Sequence, residues 1–274
     1  MLTGSTLVAI VRDERAYLIE WVAYHRLMGF DRLILYSNDC SDGTDVLLDR
    51  MAEAGLVEHR PWLSFAGRSA QQAAYADAVG RCATEWIMFL DADEFLHLEQ
   101  DDRVAAFVAR FPTDVAAVAI CWRVFGSSGQ LWQGPQPVVQ RFTNAAPVGH
   151  HLNRHIKTIA RAAAIDAPNV HGVTLRHGTY ALPDGEPYTL HRGAFAWPRY
   201  DVAQVNHYVV RSRAEFAQKL ARGNANLPPE SALKQASRGP GFFEDHDRNE
   251  EVDRSILRRL PALKREMAWI VDLL

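Results

Sequence analysis

The residues best suited to chemistry are Asp91, Asp93 and Glu94, three carboxylates within four positions that end the apolar run Trp86-Ile87-Met88-Phe89-Leu90. Bulky residues in succession predict a strand buried on both faces, the pattern of a central strand in a parallel sheet. The carboxylates then stand at the carboxyl end of that strand, where open α/β sheets bind their ligands. Asp91 and Asp93 are two apart and can turn toward one hard cation. Anions this close repel one another unless a cation or water relieves them. The plainer reading is a solvated acidic turn. His207, in Val205-Asn206-His207-Tyr208-Val209, sits in an apolar strand context. There an imidazole is most often a satisfied core group, but near acidic strand ends it becomes a further ligand. Asp91, Asp93 and His207 together would make a mostly oxygen metal site suited to Mn2+ or Mg2+.

Polar groups recur at the other strand ends. Val11-Arg12-Asp13-Glu14 closes the first strand, where a nucleotide would dock; a loop ion pair between Arg12 and Glu14 is the alternative. Ser37-Asn38-Asp39-Cys40-Ser41-Asp42-Gly43-Thr44 follows the second strand. Asn38 and Asp39 there could accept from a base or ribose hydroxyl, or simply shape a turn. Arg68, Gln71 and Gln72 open a helix whose N-terminus favours anions. Lys157 and Arg161, with Arg211, Lys219 and Arg222, are cations able to neutralise a leaving diphosphate or to form a solvated basic face. His150, His151, His155, His171, His177 and His191 follow no zinc spacing. Neither GxGxxG nor GxxxxGK[ST] is present, which disfavours a dinucleotide site and a P-loop.

The elements that must position these groups alternate up to about residue 125. Strands are expected at 7–11, 32–36, 56–59 and 86–90, with helices at 14–28, 45–54 and 68–82. Thr44 is a candidate cap for the second helix and Gly29 a stop for the first. This βαβαβαβ order implies a doubly wound, mostly parallel sheet with helices on both faces. Further strands are expected at 115–124, 138–142, 156–160 and 202–210, then helices at 212–222 and 255–274, with 223–250 irregular. A single domain over 1–274 is the simplest organisation: 1–125 for the ligand-binding half, 126–250 elaborated, and 251–274 an amphipathic helix.

Composition narrows the class. Apolar residues make up 48% and charged residues 23% of 274, ordinary for a soluble globular chain. A net charge of −3 offers no global drive toward nucleic acid. Cys40, Cys82 and Cys121 are odd in number and widely spaced, which argues against a disulfide framework and suits a reducing cytoplasm. The first residues show no signal-peptide pattern, and no window approaches the ~20 apolar residues of a membrane span.

Several segments together resemble a known family. They are Val11-Arg12-Asp13-Glu14, the stretch from Glu20-Trp21-Val22 to Gly29-Phe30-Asp31, Tyr36 to Thr44, Phe89 to Phe95, and Asn206-His207-Tyr208 with Ser212, Glu215-Phe216, Lys219 and Arg222-Gly223. They are similar to features of bacterial glycosyltransferase family 2-like proteins, related to glycosyltransferase family 92. The resemblance implies a GT-A fold and a nucleotide-sugar donor, most often UDP-linked. It implies a divalent metal bridging the diphosphate to Asp93, with Asp91 nearer the ribose or metal shell, and His207 completing the site. It also implies that Arg12, Glu14, Asp39 and Arg68 line the nucleotide pocket. Arg12-Asp13 stands where Lys-Asn is usual in that family, a departure at the pocket itself.

The expected reaction is transfer of a sugar to an acceptor hydroxyl with inversion, in the synthesis of a surface glycan or glycolipid. A carboxylate must take the acceptor's proton; Asp247 is the preferred base, with Glu94 and Asp184 as alternatives. Trp122, Phe125, Trp132, Phe195, Trp197, Tyr200, Phe242 and Phe243 offer aromatic surface for a sugar ring, or core packing. The last helix carries apolar residues flanked by Arg and Lys. It would pack on the domain or in a homodimer, or else lie peripherally on the inner membrane face near a lipid-linked acceptor. The rival readings are a nucleotidyltransferase, a non-catalytic nucleotide- or sugar-binding protein, and a phosphatase-type hydrolase.

Overall fold

The computed structural model describes residues 2–190, 196–222, 239 and 241–274. His191, Phe195 and Gly223 of the sequence reading lie outside the described residues, as does the side chain of Arg222.

The first part alternates as expected: β1 (Ser5–Val11), α1 (Arg15–Leu27), β2 (Arg32–Asn38), α2 (Thr44–Glu53), β3 (Glu58–Trp62), α3 (Ala70–Arg81) and β4 (Trp86–Phe89). β1 pairs in parallel with β2 and with β4, and β2 with β3. Every residue of β1 is buried because both of its faces are covered. Leu7, Ala9 and Val11 pack toward Trp21 of α1 and Leu48 of α2, whereas Val8 and Ile10 pack toward Ala74, Tyr75 and Ala78 of α3. That split follows from the two-residue period of a strand.

After β4 come β5 (Glu94–Leu98), α4 (Val104–Val108), β6 (Val115–Val124), α5 (Val138–Arg141), β7 (Asn144–Ala145), β8 (Ile156–Arg161), β9 (Ile165–Pro168), β10 (Val173–Leu175), β11 (Thr179–Ala181), β12 (Pro187–Tyr188), β13 (Ala203–His207), α6 (Arg213–Arg222), α7 (Phe242–His246), β14 (Glu251–Val252) and α8 (Leu260–Leu273). The main sheet runs β12-β11-β6-β8-β4-β1-β2-β3. β8 lies antiparallel between β4 and β6, so residues from the second half complete the sheet begun by the first. β6 is long enough to serve two partners. Its stretch from Ala117 to Cys121 pairs with β8, and Trp122 to Val124 pair in parallel with β13. β13 in turn runs antiparallel to β5, with His207 opposite Glu94. This is the expected α/β class, with a mostly parallel central sheet covered by helices on both faces.

Four expectations are corrected. Where a strand is expected over 138–142, Val138–Arg141 form the one-turn helix α5. Pro137 precedes it, and the buried Glu20 carboxylate accepts from Val138 N at 2.7 Å and Val139 N at 3.0 Å, satisfying the free amides of a first helical turn. Thr44 does not cap α2, whose N-cap is Gly43 at φ 81°. Its hydroxyl instead accepts from Glu14 N at 2.9 Å, tying the β1–α1 turn to the β2–α2 turn. The strand expected at 202–210 stops at His207, and the last helix is split into a 3-10 turn at Ser255–Arg259 and α8. α8 buries Leu263 and Ile270 in the same core as α1 and adds an Arg26–Glu266 ion pair at 2.9 Å. Cys40, Cys82 and Cys121 are unpaired, and no helix among the described residues is long and apolar enough to cross a membrane.

Candidate functional site

The acidic segment is held where β4 ends and β5 begins. The Trp21 indole N–H on α1 donates to Asp91 O at 3.1 Å and Glu94 O at 3.0 Å, clamping the turn from below. The β5–β13 pairing then brings His207 alongside: Tyr208 N donates to Asp93 O at 2.8 Å, and His207 Nε2 faces Asp93 Oδ1 at 3.8 Å. Both side chains are buried. The Trp122 ring, one strand away on β6, packs on His207 with centroids 4.1 Å apart.

The carboxylates are neutralised from within the chain. Asp91 accepts from Gln71 Nε2 at 2.7 Å and from Lys157 Nζ at 2.9 Å. The Lys157 ammonium, with no exposed surface, also meets Glu94 Oε2 at 3.0 Å. Lys219 of α6 donates to Asp93 Oδ2 and to Val209 O. Arg211 pairs with Glu14 at 3.0 Å, reaches Ala92 O at 3.3 Å, and lies 3.5 Å over the Tyr17 ring. Four carboxyls thus meet three buried cations. Burial works against ionised Asp93, yet Lys219 and Arg211 hold its carboxyl well below the usual range. Glu94 goes the other way: burial, with Asp91 and Asp93 nearby, pushes it up to about 8 despite Lys157. Burial likewise drives His207 well below the usual imidazole range, leaving it neutral and able to ligate.

The expected residues divide clearly. Asp91, Asp93, Glu94, His207, Gln71, Lys157 and Glu14 converge. Val11 is buried at the end of β1, and Arg12 is half-buried in the turn after it. Asn38 is fully buried and donates to Trp62 O at 3.1 Å and Ser64 Oγ at 3.0 Å, so it pins the loop that follows β2. Asp39 is exposed at that loop with φ 47°, and Arg68 is exposed before α3. Asp184 stands in the turn between β11 and β12 at the sheet edge, paired with Arg199, far in the strand order from β4. Glu94 has no exposed surface, and its Oε2 is engaged by Lys157 and Asp91 N, which sets it back from an acceptor arriving from solvent. Asp247 follows α7. Its Oδ1 accepts from Ser127 N at 2.6 Å and Asn249 Nδ2 at 2.8 Å. Ser127 lies three residues past Val124, which pairs with His207, so Asp247 is at the same end of the sheet.

Sequence reasoning missed the Trp21 clamp and the buried Glu215 that joins Tyr17 to Arg141, with Oε1 at 2.9 Å from Tyr17 Oη and 3.0 Å from Arg141 Nη1. Ser212 and Glu215 have the spacing of a capping box, which the structure forms, but nothing local announces the reach of Trp21 or Glu215 to distant partners.

A divalent ion fits part of the expected donor set. Asp93 Oδ1 and His207 Nε2 are buried, adjacent and too far apart to hydrogen-bond, and His207 Nδ1 has no partner among the described residues. Mg2+-like ions take one or two protein ligands and complete their shell with substrate phosphates and water. Asp91 is turned to Lys157 and Gln71, and the ligand atoms of Asp91, Asp93 and His207 do not converge as a set of three.

These features define an α/β chain with a carboxylate and imidazole site at the carboxyl end of its parallel strands. The family model of Glycosyltransferase family 92 matches residues 8–216, and the chain belongs to that family. Curated relatives include family 92 proteins of Ricinus communis, 26% identical over 225 residues, and of Oryza sativa subsp. japonica, 24% identical over 249 residues. The alignments cover 79% and 85% of this chain but only 37% and 38% of those relatives, so the chain spans well under half their length. Similar solved structures include mannosyltransferase PcManGT from Pyrobaculum calidifontis in complex with GDP-Man and Mn2+, 12% identical, covering 100% of this chain and 73% of that one at a TM-score of 0.46. Another is S. aureus TarS 1-349, 11% identical, covering 99% of this chain and 81% of that one at a TM-score of 0.41.

Proposed function

We propose that the chain transfers a sugar from a nucleoside diphosphate, UDP in the first instance, to an acceptor hydroxyl of a glycan or glycolipid, with inversion. Membership of family 92 supports the class. The single observation that carries the site is the pairing of Asp93 Oδ1 with His207 Nε2 at 3.8 Å, both buried at the carboxyl end of the sheet.

Asp93 and His207 would hold a Mn2+ or Mg2+ ion, which when bound supplies Lewis acidity to the departing diphosphate. The remaining work falls to the chain. Lys157, held between Asp91 and Glu94, presents a fixed positive charge that needs no reorganisation as negative charge develops. Asp91, bonded to Lys157 and Gln71, keeps 31% of its side chain exposed and would meet the donor's ribose from that edge. Asp39, exposed at the loop after β2, would meet the base. Asp247 takes the acceptor's proton: Ser127 and Asn249 engage Oδ1, which orients the carboxylate as a general base requires.

The test is donor turnover across a panel of nucleotide sugars, with and without EDTA. Turnover that stops with EDTA, and falls on the order of 10²-fold or more in Asp93→Ala, is the expected result. Turnover unchanged by EDTA, or a fully active Asp93→Ala, refutes it.

A further inference from the structure

Outside that site, His150, His151 and Asp245 offer ligand atoms that all lie within 4.8 Å of one another, the one such set of three among the described residues. We propose that they form a second metal site, for a zinc-type transition ion, that links the loop before β8 to α7.

The separations suit a single small ion. Two donors about 2.0–2.1 Å from one tetrahedral ion stand roughly 3.3 Å apart. His151 Nε2 and Asp245 Oδ2 are 3.3 Å apart, and His150 Nε2 is 4.0 Å from the other oxygen, Asp245 Oδ1, so the set must draw in to meet one ion. The two imidazoles pack with ring centroids 4.5 Å apart. His150 Nε2 is the second, independent sign: it is buried, aimed into the cluster, and has no hydrogen-bond partner among the described residues. Burial also lowers the His150 pKa, which favours the neutral ligating form. Two nitrogens and one oxygen select Zn2+ over the hard ions that suit Asp93. His151 is 64% exposed and gives the ion a way in, and water would take the fourth position.

Both halves of the site are prepared. Asn153 accepts from Val124 N at 2.9 Å and donates to Pro147 O at 2.9 Å, fixing the loop that carries the two histidines. On the other side, Phe242 stacks on Phe216 with centroids 5.7 Å apart, and Asp247 is bound to Ser127. A metal there would lock α7, which carries His246 and leads directly into Asp247.

Co2+ titration of the whole chain, read by its visible absorption, tests this, with a Zn2+ melting curve in parallel. One equivalent should bind, and Zn2+ should raise Tm. Binding should weaken at least tenfold, roughly what even a supporting group commands, in both His151→Ala and Asp245→Asn. Both positions are substantially exposed, so the variants should fold. Asp93→Asn should keep the spectrum. No stoichiometric binding, binding untouched by either variant, or binding lost in Asp93→Asn and kept in His151→Ala would each overturn the proposal. The Asp93→Asn arm also separates this site from the donor site.

Discussion

Glu94 shows how much a single residue's environment decides. It stands beside Asp93 in sequence, yet burial raises one carboxyl while Lys219 holds the other down. Because its folded pKa is raised, Glu94 contributes stability that is whole below its ordinary 4.5 and is lost as pH rises through about 8. Asp93 has the opposite sign, and its share is lost as pH falls through its depressed value. Glu94→Gln should therefore gain on the native chain by more than about 1 kcal/mol between about pH 5 and about pH 9, as read by urea denaturation. Parallel stability curves would contradict the assignment. For Asp247→Asn, kcat should fall on the order of 10²-fold or more while donor affinity stays the same; a loss of affinity with kcat intact would make Asp247 a binding group. The meeting of Asp93 and His207 was legible from residue type and strand context, whereas Asp91 turns to Lys157 and Gln71 instead. The cations were not legible, because Lys219 is 126 residues from Asp93 and Lys157 is 66 from Asp91.

At the scale of elements, the early βα units were legible because apolar period and turn residues agree there. α5 was not: Val138 and Val139 read locally as strand, and only the distant Glu20 carboxylate makes a helical turn the better outcome. Removing that carboxylate in Glu20→Ala leaves two buried amides without an acceptor and should cost about 1–3 kcal/mol per unsatisfied group, read by denaturation. A change within about 0.5 kcal/mol, the usual range for surface substitutions, would mean that α5 does not depend on Glu20. β5 went unread for a related reason. The carboxylates before it suggested a loop, and its strand character rests on pairing with β13, more than 100 residues on. That pairing is what sets His207 against Asp93.

Over the whole molecule, one sheet joins both parts of the chain, with β8 inserted between β4 and β6. The site sits where β4, β5, β6 and β13 meet, so side chains from residues 91–94 and 207–219 are positioned by the same core. α8 packs on α1, the arrangement the sequence favoured over a membrane surface, and leaves Trp269, Val271 and Leu273 partly exposed. The central claim is that Asp93 and His207 create a metal-dependent nucleotide site. Calorimetric titration with UDP, in Mn2+ and in EDTA, tests it most directly. The account predicts binding in Mn2+ that disappears in EDTA and weakens at least about tenfold in Asp93→Asn and in His207→Ala. Equal binding in EDTA, or undiminished binding in Asp93→Asn, would contradict it.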